Sequence, residues 1–295
     1  MLKVEIVKKE IKYLKRESKY FPSKLRDLEN CPKELFVLGD EKILTEKSLS
    51  VIGSRKCSTV GKEIARKISM DLSNSDVVIV SGFARGIDTI AHKACLENKK
   101  KTIAVLGSGH GRIYPAENKR LLDKILTYGG AIVSEYPFEY PTLPKNFIER
   151  NRIIAALSEG TILIEAKKNS GSLHTIDYAR KLNKKIFVVP GAINDEMYEG
   201  SNDVLTKGAF CICDTKDIAK EYSWLDLKEY KDKKENILTK EYAEVFSAIT
   251  NYPISFEEIC IKIDEPVNVI LHKLTMLEID GFIREIEGQN FIRIK

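Results

Sequence analysis

Short apolar runs alternate with longer amphipathic stretches between residues 50 and 215. Seven such runs are rich in β-branched residues and stop at small or turn-forming residues: SVIG, VVIVSG, TIAVLGSG, AIVSEYP, TILIEA, IFVVPG and FCICD. Strands that are apolar on both faces are typical of parallel sheets covered by helices on both sides. The pattern therefore predicts an α/β domain over residues 50–220, built as an open, doubly wound sheet.

The residues before this domain have a different pattern. Val4, Val7, Ile11 and Leu14 follow a helical spacing in a charged segment, which predicts a short amphipathic helix. We therefore assign residues 1–49 to an N-terminal extension that leads into the sheet.

The pattern changes again after the sheet. Residues 221–239 are dense in charge and are predicted to be a linker. Residues 240–295 predict three helices, over 241–249, over 255–263 and from Pro266 to about Leu277, followed by two alternating runs around Gly288. Three helices and a terminal hairpin are the plan of a small winged-helix domain.

Composition narrows the class of protein. The 295 residues are 43% hydrophobic and 31% charged, which excludes a mainly disordered or collagenous chain. The 48 Lys and Arg against 43 Asp and Glu leave a net charge of +5, which permits an anionic partner without requiring one. We find no apolar stretch long enough to span a membrane and no signal-peptide core, and so expect a cytoplasmic protein.

The six cysteines do not predict a metal site, because they lack C-x-x-C spacing and a histidine at zinc-finger distance. Cys211 and Cys213 alternate within an apolar run. We predict that both side chains lie on one face of a buried strand.

Ligands of an open α/β sheet bind at the carboxyl ends of its strands. The residues that follow the first and fifth runs are small, polar or basic: Gly53, Ser54 and Arg55, and Ser170, Gly171 and Ser172. Glycine permits close backbone approach, and the free N–H groups of a helix start favour an anion. A simple chain reversal with a solvated Arg55 explains the first turn equally well. Lys207 is a further basic candidate, on a short helix after the sixth run.

A second candidate set occupies one predicted helix start, between residues 143 and 152. It consists of Lys145, Phe147, Arg150, Asn151 and Arg152. Residues two apart on a helix face different ways, so we expect one arginine to line a cleft and the other to brace it through a salt bridge. Phe147 beside Lys145 suits a site for a phosphate and a base, although a core position for the ring is the alternative.

Other motifs are weaker or missing. Asp88 and His92 are interpreted as a helix-start cap and a packing histidine. The glycines from Gly107 to Gly111 resemble a dinucleotide fingerprint, but no helix opens directly after them, so we exclude NAD and predict no cofactor. We find no phosphate-binding P-loop, no metalloprotease motif, no nucleophile elbow and no catalytic triad, and therefore predict no catalytic residues.

The ordered motifs GSR-x-x-S-x-x-G, SGFARGIDTIAH, GSGHGRIYPAEN, SEYP, RNRIIAALS, IEAKKNSGSLHT, VPG and GSNDVLTKGA resemble the DNA-processing protein A family, also called Smf. The resemblance covers about residues 20–215. It implies an extended Rossmann-like fold and a homodimer that binds single-stranded DNA, protects incoming strands and loads the RecA recombinase during natural transformation. By similarity, the DNA pocket would include Arg55, Lys145, Phe147, Arg150 and Arg152, with Lys207 as a further candidate.

Two other functions stay open at this point. The first is a nucleotide-processing enzyme of Rossmann-like type, with Glu165 as its candidate acid. The second is a regulator that binds duplex DNA through the winged helix, whose third helix offers Asn268, His272 and Lys273 to a groove.

Overall fold

The computed structural model describes residues 10–228, 240–286 and 288–294. The chain divides into two compact units, residues 1–229 and 230–295.

The described part of the first unit is built on a nine-stranded sheet. Its strands are β1 (Lys12–Lys15), β2 (Glu34–Gly39), β3 (Ser48–Ile52), β4 (Val78–Ser81), β5 (Thr102–Leu106), β6 (Ala131–Ser134), β7 (Gly160–Leu163), β8 (Lys185–Val188) and β9 (Phe210–Cys211). They lie in the order β1-β2-β6-β5-β4-β3-β7-β8-β9. The pairs β1–β2 and β2–β6 are antiparallel, and all other neighbours are parallel.

Helices cover both faces of this sheet. They are α1 (Thr59–Asn74), α2 (Ile87–Glu97), α3 (Lys119–Thr127), α4 (Pro144–Leu157), α5 (Leu173–Lys181), α6 (Glu199–Thr206) and α7 (Thr215–Ala219). Side chains of α4, α5 and α6 pack in the core on one face, whereas α1, α2, α3 and α7 pack on the other. The doubly wound α/β class predicted from the apolar runs is confirmed, because strands buried on both faces need helices on both sides.

Two predictions about this unit were wrong. Residues 12–15 form a strand rather than a helix: β1 pairs with β2 and buries Leu14. The rest of the proposed helix, including Val4 and Val7, lies outside the described residues. Cys211 and Cys213 are both exposed, because the alternation at the end of β9 buries the intervening Ile212 instead.

The end of the first unit packs back onto the sheet. Leu225 is buried in the core that contains α1 and α2. The Trp224 ring lies 5.0 Å from that of Tyr222 and 5.3 Å from the Lys47 ammonium, measured to ring centroids. The first residues of the charged segment are therefore part of this unit's core.

The second unit has the predicted winged-helix plan. Its elements are α8 (Lys240–Ala248), β10 (Ile254–Ser255), α9 (Phe256–Lys262), α10 (Val267–Ile279), β11 (Ile283–Ile286) and β12 (Asn290–Arg293). The strands pair in the order β10-β12-β11 and share one core with the three helices. Ser255 and Glu258 form a capping box at the start of α9, since each side chain accepts a hydrogen bond from the backbone N–H of the other.

Within the described ranges, no helix combines the length and apolar character that a membrane crossing requires.

Candidate functional site

A large cleft lies where the strand order of the first unit reverses. From β3 the chain proceeds through β4, β5 and β6 in one direction, and then returns to place β7 on the other side of β3. The carboxyl ends of β3 and β7 therefore diverge into crossovers on opposite faces, which leaves an opening above the sheet. This opening is a cleft of about 1040 Å³.

The turn after β3 forms one wall of the cleft. A Cβ atom on Gly53 would lie 2.7 Å from the Ile87 side chain, so only glycine fits this approach. The Ser54 amide donates to the Glu165 carbonyl at 2.8 Å, and the Ser54 carbonyl accepts from the Ile87 amide at 3.2 Å. These contacts fix the backbone and leave the exposed Arg55 side chain lining the cleft.

A cation and two aromatic rings lie side by side in the cleft. The Arg55 guanidinium is 5.7 Å from the centroid of the half-buried Phe147 ring. Phe147 in turn lies 5.6 Å from the Tyr114 ring. A Cβ atom on Gly107 would lie 2.9 Å from the Phe147 ring, so the glycine lets the ring sit against the end of β5. Phe147 thus lines the cleft instead of occupying the core.

Arg150 lines the floor of the cleft but is 3% exposed. Its guanidinium donates to the carbonyls of Gly82 and Val105, at the ends of β4 and β5. Burial lowers the pKa of Arg150 to about 10, while the nearby Asp88 favours its charged form. The two hydrogen bonds to these carbonyls make Arg150 a structural support of the cleft. Its charge is a source of positive potential beneath the cleft.

Arg152, Lys145 and Lys207 do not line the cleft. Arg152 is buried, and its terminal nitrogen lies 2.6 and 2.7 Å from the two carboxylate oxygens of Glu135. Lys145 is exposed, and Lys207 pairs with Asp203 at 2.6 Å. The two arginines of α4 thus divide as expected, one at the cleft and one in a salt bridge.

The start of α5 forms the opposite wall. Ser170, Gly171 and Ser172 all line the cleft. The Asn151 amide nitrogen donates to the Gly171 carbonyl at 3.0 Å, and the hydroxyls of Ser170 and Ser172 lie 2.8 Å apart. Asn151 therefore ties α4 to this wall and positions the two hydroxyls near the amides of the helix start.

Glu165 is fully buried and is not among the residues that line the cleft. Its carboxylate accepts hydrogen bonds from the Ser58 amide at 3.1 and 3.2 Å and from the Ser58 hydroxyl at 2.5 Å. The Ser58 hydroxyl accepts from the Gly61 amide at 2.9 Å and so caps α1. Glu165 thus serves the N-terminus of α1, where a negative side chain is favourable.

Sequence reasoning missed part of the lining. Five basic side chains line the cleft against three acidic ones. Of the basic residues, Lys56, Lys167 and Lys168 were not predicted, although Lys56 directly follows Arg55 and both others follow β7. Lys167 and Lys168 pair with Glu196 and Glu199 at 3.2 and 3.1 Å across exposed surface, where such pairs contribute little.

Other sequence motifs have structural explanations. His92 is buried and its Nδ1 lies 2.8 Å from the Thr102 hydroxyl, and burial lowers its pKa to about 3. The Asp88 carboxylate accepts a hydrogen bond from the Ala84 amide at 3.3 Å, in the loop that precedes α2. It therefore stabilises this loop and is not the N-cap of α2. A Cβ atom on Gly109 would collide with the Pro137 carbonyl, so this glycine of the fingerprint serves loop packing.

No group of three His, Cys, Asp or Glu side chains suited to a metal ion occurs in the parts of the chain that the structure describes.

Known proteins match both units of the chain. The family model for DNA recombination-mediator protein A matches residues 12–223, and that for the DprA winged helix domain matches residues 230–289. Protein Smf of Escherichia coli is 33% identical over 287 residues, which is 95% of this chain and 76% of that protein. DNA processing protein DprA of Streptococcus pneumoniae is 40% identical over 205 residues, or 69% of this chain and 72% of that protein.

Solved structures agree with these matches. The X-ray structure of DprA from S. pneumoniae superposes with a TM-score of 0.69 at 37% identity, covering 74% of this chain and 77% of that one. A Helicobacter pylori DNA processing protein A, described for its single-stranded DNA binding mode, gives a TM-score of 0.65 at 31% identity, covering 73% of this chain and 99% of that one. With both units matched and the motifs in order, this chain belongs to the DNA recombination-mediator protein A family, known as DprA or Smf.

Proposed function

We propose that this chain is a cytoplasmic, non-enzymatic mediator of recombination that binds single-stranded DNA in the cleft between β3 and β7. The observation that carries the proposal is the Arg55 guanidinium 5.7 Å from the Phe147 ring at the cleft. Proteins that bind single strands combine a positive groove for the backbone with aromatic rings on which bases stack. The H. pylori relative, described for single-stranded DNA binding, supports the same ligand.

Two neighbours in sequence supply the phosphate contacts in this proposal. Arg55 and Lys56 are both exposed and both line the cleft. An exposed arginine can grip a phosphate through two parallel N–H bonds, and an adjacent lysine adds a second positive charge. Arg150 contributes potential from below without leaving its carbonyl partners.

An Arg55→Ala/Lys56→Ala variant should bind a single-stranded oligonucleotide more weakly. The slope of log affinity against log salt concentration should become shallower by about 1.4. The variant has lost two phosphate contacts, so its binding releases fewer counterions from the DNA. Fluorescence anisotropy of a labelled oligonucleotide, measured at several salt concentrations against the matching duplex, tests both effects.

The matched control is Lys42→Ala/Lys124→Ala, which removes two positive charges from exposed positions outside the cleft. It should change affinity and salt slope little. Equal losses of affinity in the two variants would show that binding depends on the net charge of the protein and not on the cleft. That result would contradict the proposed site. Tighter binding of duplex than of single strands by the wild-type protein would contradict the proposed ligand.

The second unit is a poor reader of duplex DNA. Residues 240–295 contain six Lys and Arg against ten Asp and Glu, a balance that repels phosphates. On α10, Lys273 is 5% exposed, and its ammonium lies 2.6 Å from both carboxylate oxygens of Glu265. Of the three side chains that α10 could offer to a groove of duplex DNA, this leaves only Asn268 and His272. We therefore prefer the cleft of the first unit as the DNA site.

The biological role in this proposal is protection of incoming single strands and loading of the RecA recombinase during natural transformation, by a homodimer. We expect the wild-type protein to shorten the delay before RecA hydrolyses ATP on strands already coated with a single-strand-binding protein. The Arg55→Ala/Lys56→Ala variant should lose this effect, since it no longer holds the strand. An unchanged delay with wild-type protein, shown by sedimentation to be dimeric in the assay, would contradict the loading role.

A further inference from the structure

Tyr114 lies in the cleft beside Phe147, although it was not among the candidate site residues predicted from the sequence. The ring is 44% exposed and lines the cleft. Its centroid is 5.6 Å from that of Phe147, and the two ring planes are inclined by 56°. An exposed aromatic face in a cationic cleft is available to stack on another planar group.

The loop that carries Tyr114 is tied to its neighbour by backbone bonds. The Gly109 amide donates to the Tyr140 carbonyl at 3.2 Å, and the Gly111 amide donates to the Phe138 carbonyl at 2.8 Å. Because the protein's own backbone bonds hold the loop, little ordering entropy is lost when Tyr114 is used for binding.

A second cation lies next to Tyr114. The Arg85 guanidinium is 5.9 Å from the Tyr114 ring centroid. Two of its nitrogens donate to the two carboxylate oxygens of Glu117, at 2.7 and 2.9 Å. Arg55, Phe147, Tyr114 and Arg85 therefore form a row of cation, ring, ring and cation. Glu117 neutralises the charge of Arg85. At this end of the row, the Tyr114 ring face is therefore more available to a ligand than a phosphate contact from Arg85.

We propose that Tyr114 is a second nucleobase platform, so that the cleft stacks two bases of one strand, one on Phe147 and one on Tyr114. This inference rests on the proposed function. Because the two ring planes are inclined by 56°, bases lying on them are tilted relative to each other and the strand turns between them. A duplex cannot follow such a turn without unstacking, so the pair of rings also selects single strands.

The test compares Tyr114→Ala and Phe147→Ala in anisotropy titrations with a labelled oligothymidylate. Removing one stacked base contact should weaken binding between about fivefold and 150-fold. Tyr114→Phe should restore the binding, since the ring remains and only the hydroxyl is lost. The control is Tyr252→Ala, which removes an aromatic ring that is 80% exposed in the second unit and should leave binding unchanged.

Two further readouts separate stacking from a general loss of structure. Tyr114→Ala should leave the salt slope unchanged, because the ring carries no charge. Wild-type protein should lose affinity when either of two neighbouring nucleotides is made abasic, whereas Tyr114→Ala should be sensitive at one of them only. Wild-type affinity in Tyr114→Ala with a loss in Phe147→Ala would overturn the second platform and leave the proposed function standing. Wild-type affinity in both variants would overturn both.

Discussion

Replacing Arg150 with methionine should lower the free energy of unfolding by about 3–5 kcal/mol, the cost of breaking a buried charge arrangement on one side. Arg150 donates to the carbonyls of Gly82 and Val105, and it faces the buried Asp88. Methionine fills most of the space but donates no hydrogen bond, so both carbonyls lose a donor and the Asp88 carboxyl loses a nearby positive charge. Urea unfolding followed by circular dichroism measures the loss.

The double variant Arg150→Met/Asp88→Asn is the matched control. It removes the charge that the single variant leaves unopposed, and it should recover part of the lost stability. Burial raises the pKa of Asp88, and Arg150 opposes this rise. A carboxyl whose folded-state pKa is raised favours the fold at low pH and loses that contribution as pH rises through the folded-state value. The loss in Arg150→Met should therefore be smaller at acidic pH than at neutral pH. Equal stability of wild type and Arg150→Met would contradict the structural role.

Replacing Glu165 with alanine should lower the free energy of unfolding by about 2–4 kcal/mol, because it leaves two partly buried donors of Ser58 unpaired and removes a negative group from a helix N-terminus. The amide and hydroxyl of Ser58 both donate to this carboxylate. A Cβ atom on Gly61 would lie 2.5 Å from it, which shows how closely α1 approaches. Thermal and urea unfolding of the variant measure the loss.

Glu165→Gln keeps an acceptor oxygen in nearly the same volume and should lose clearly less stability than Glu165→Ala. This comparison also tests the enzyme alternative, in which Glu165 is a catalytic acid. Under the structural reading, the wild-type protein releases neither base nor phosphate from mononucleotides. Release by wild type that disappears in a fully stable Glu165→Ala variant would favour the enzyme.

The sheet could be predicted because its central strands carry their own signal. β3 to β8 are short and buried on both faces, so each appears as an apolar run bounded by turns. The first strand carries a weaker signal, since only one of its four residues is buried. Ile11 and Leu14 fit a helical spacing, and the pairing of β1 with β2 that overrides it is a tertiary contact. At β9, the alternation of side chains between two faces is predictable from the sequence, but which face is buried is not. A shift of one residue exchanges the two faces, and here it buries Ile212 and exposes Cys211 and Cys213.

The site was predictable to the extent that its residues follow strands. Gly53, Ser54 and Arg55 come directly after β3, and the edge of an open sheet is where a ligand is expected. Tyr114 follows a loop with no periodic pattern, and it reaches Phe147 only because that loop packs on residues 137 and 138. Helical geometry predicts that Arg150 and Arg152 lie on different sides of α4. Which of the two lines the cleft depends on the position of Glu135, which pairs with Arg152.

The packing of Trp224 has a spectroscopic consequence. It is the chain's single tryptophan, and it lies against Tyr222 and the Lys47 ammonium in the first unit. Emission excited at the red edge of the indole band therefore follows the unfolding of the first unit, and the second unit contributes nothing to it. Far-ultraviolet dichroism sees the helices of both units. A difference between the two melting curves would thus measure how independently the winged helix unfolds.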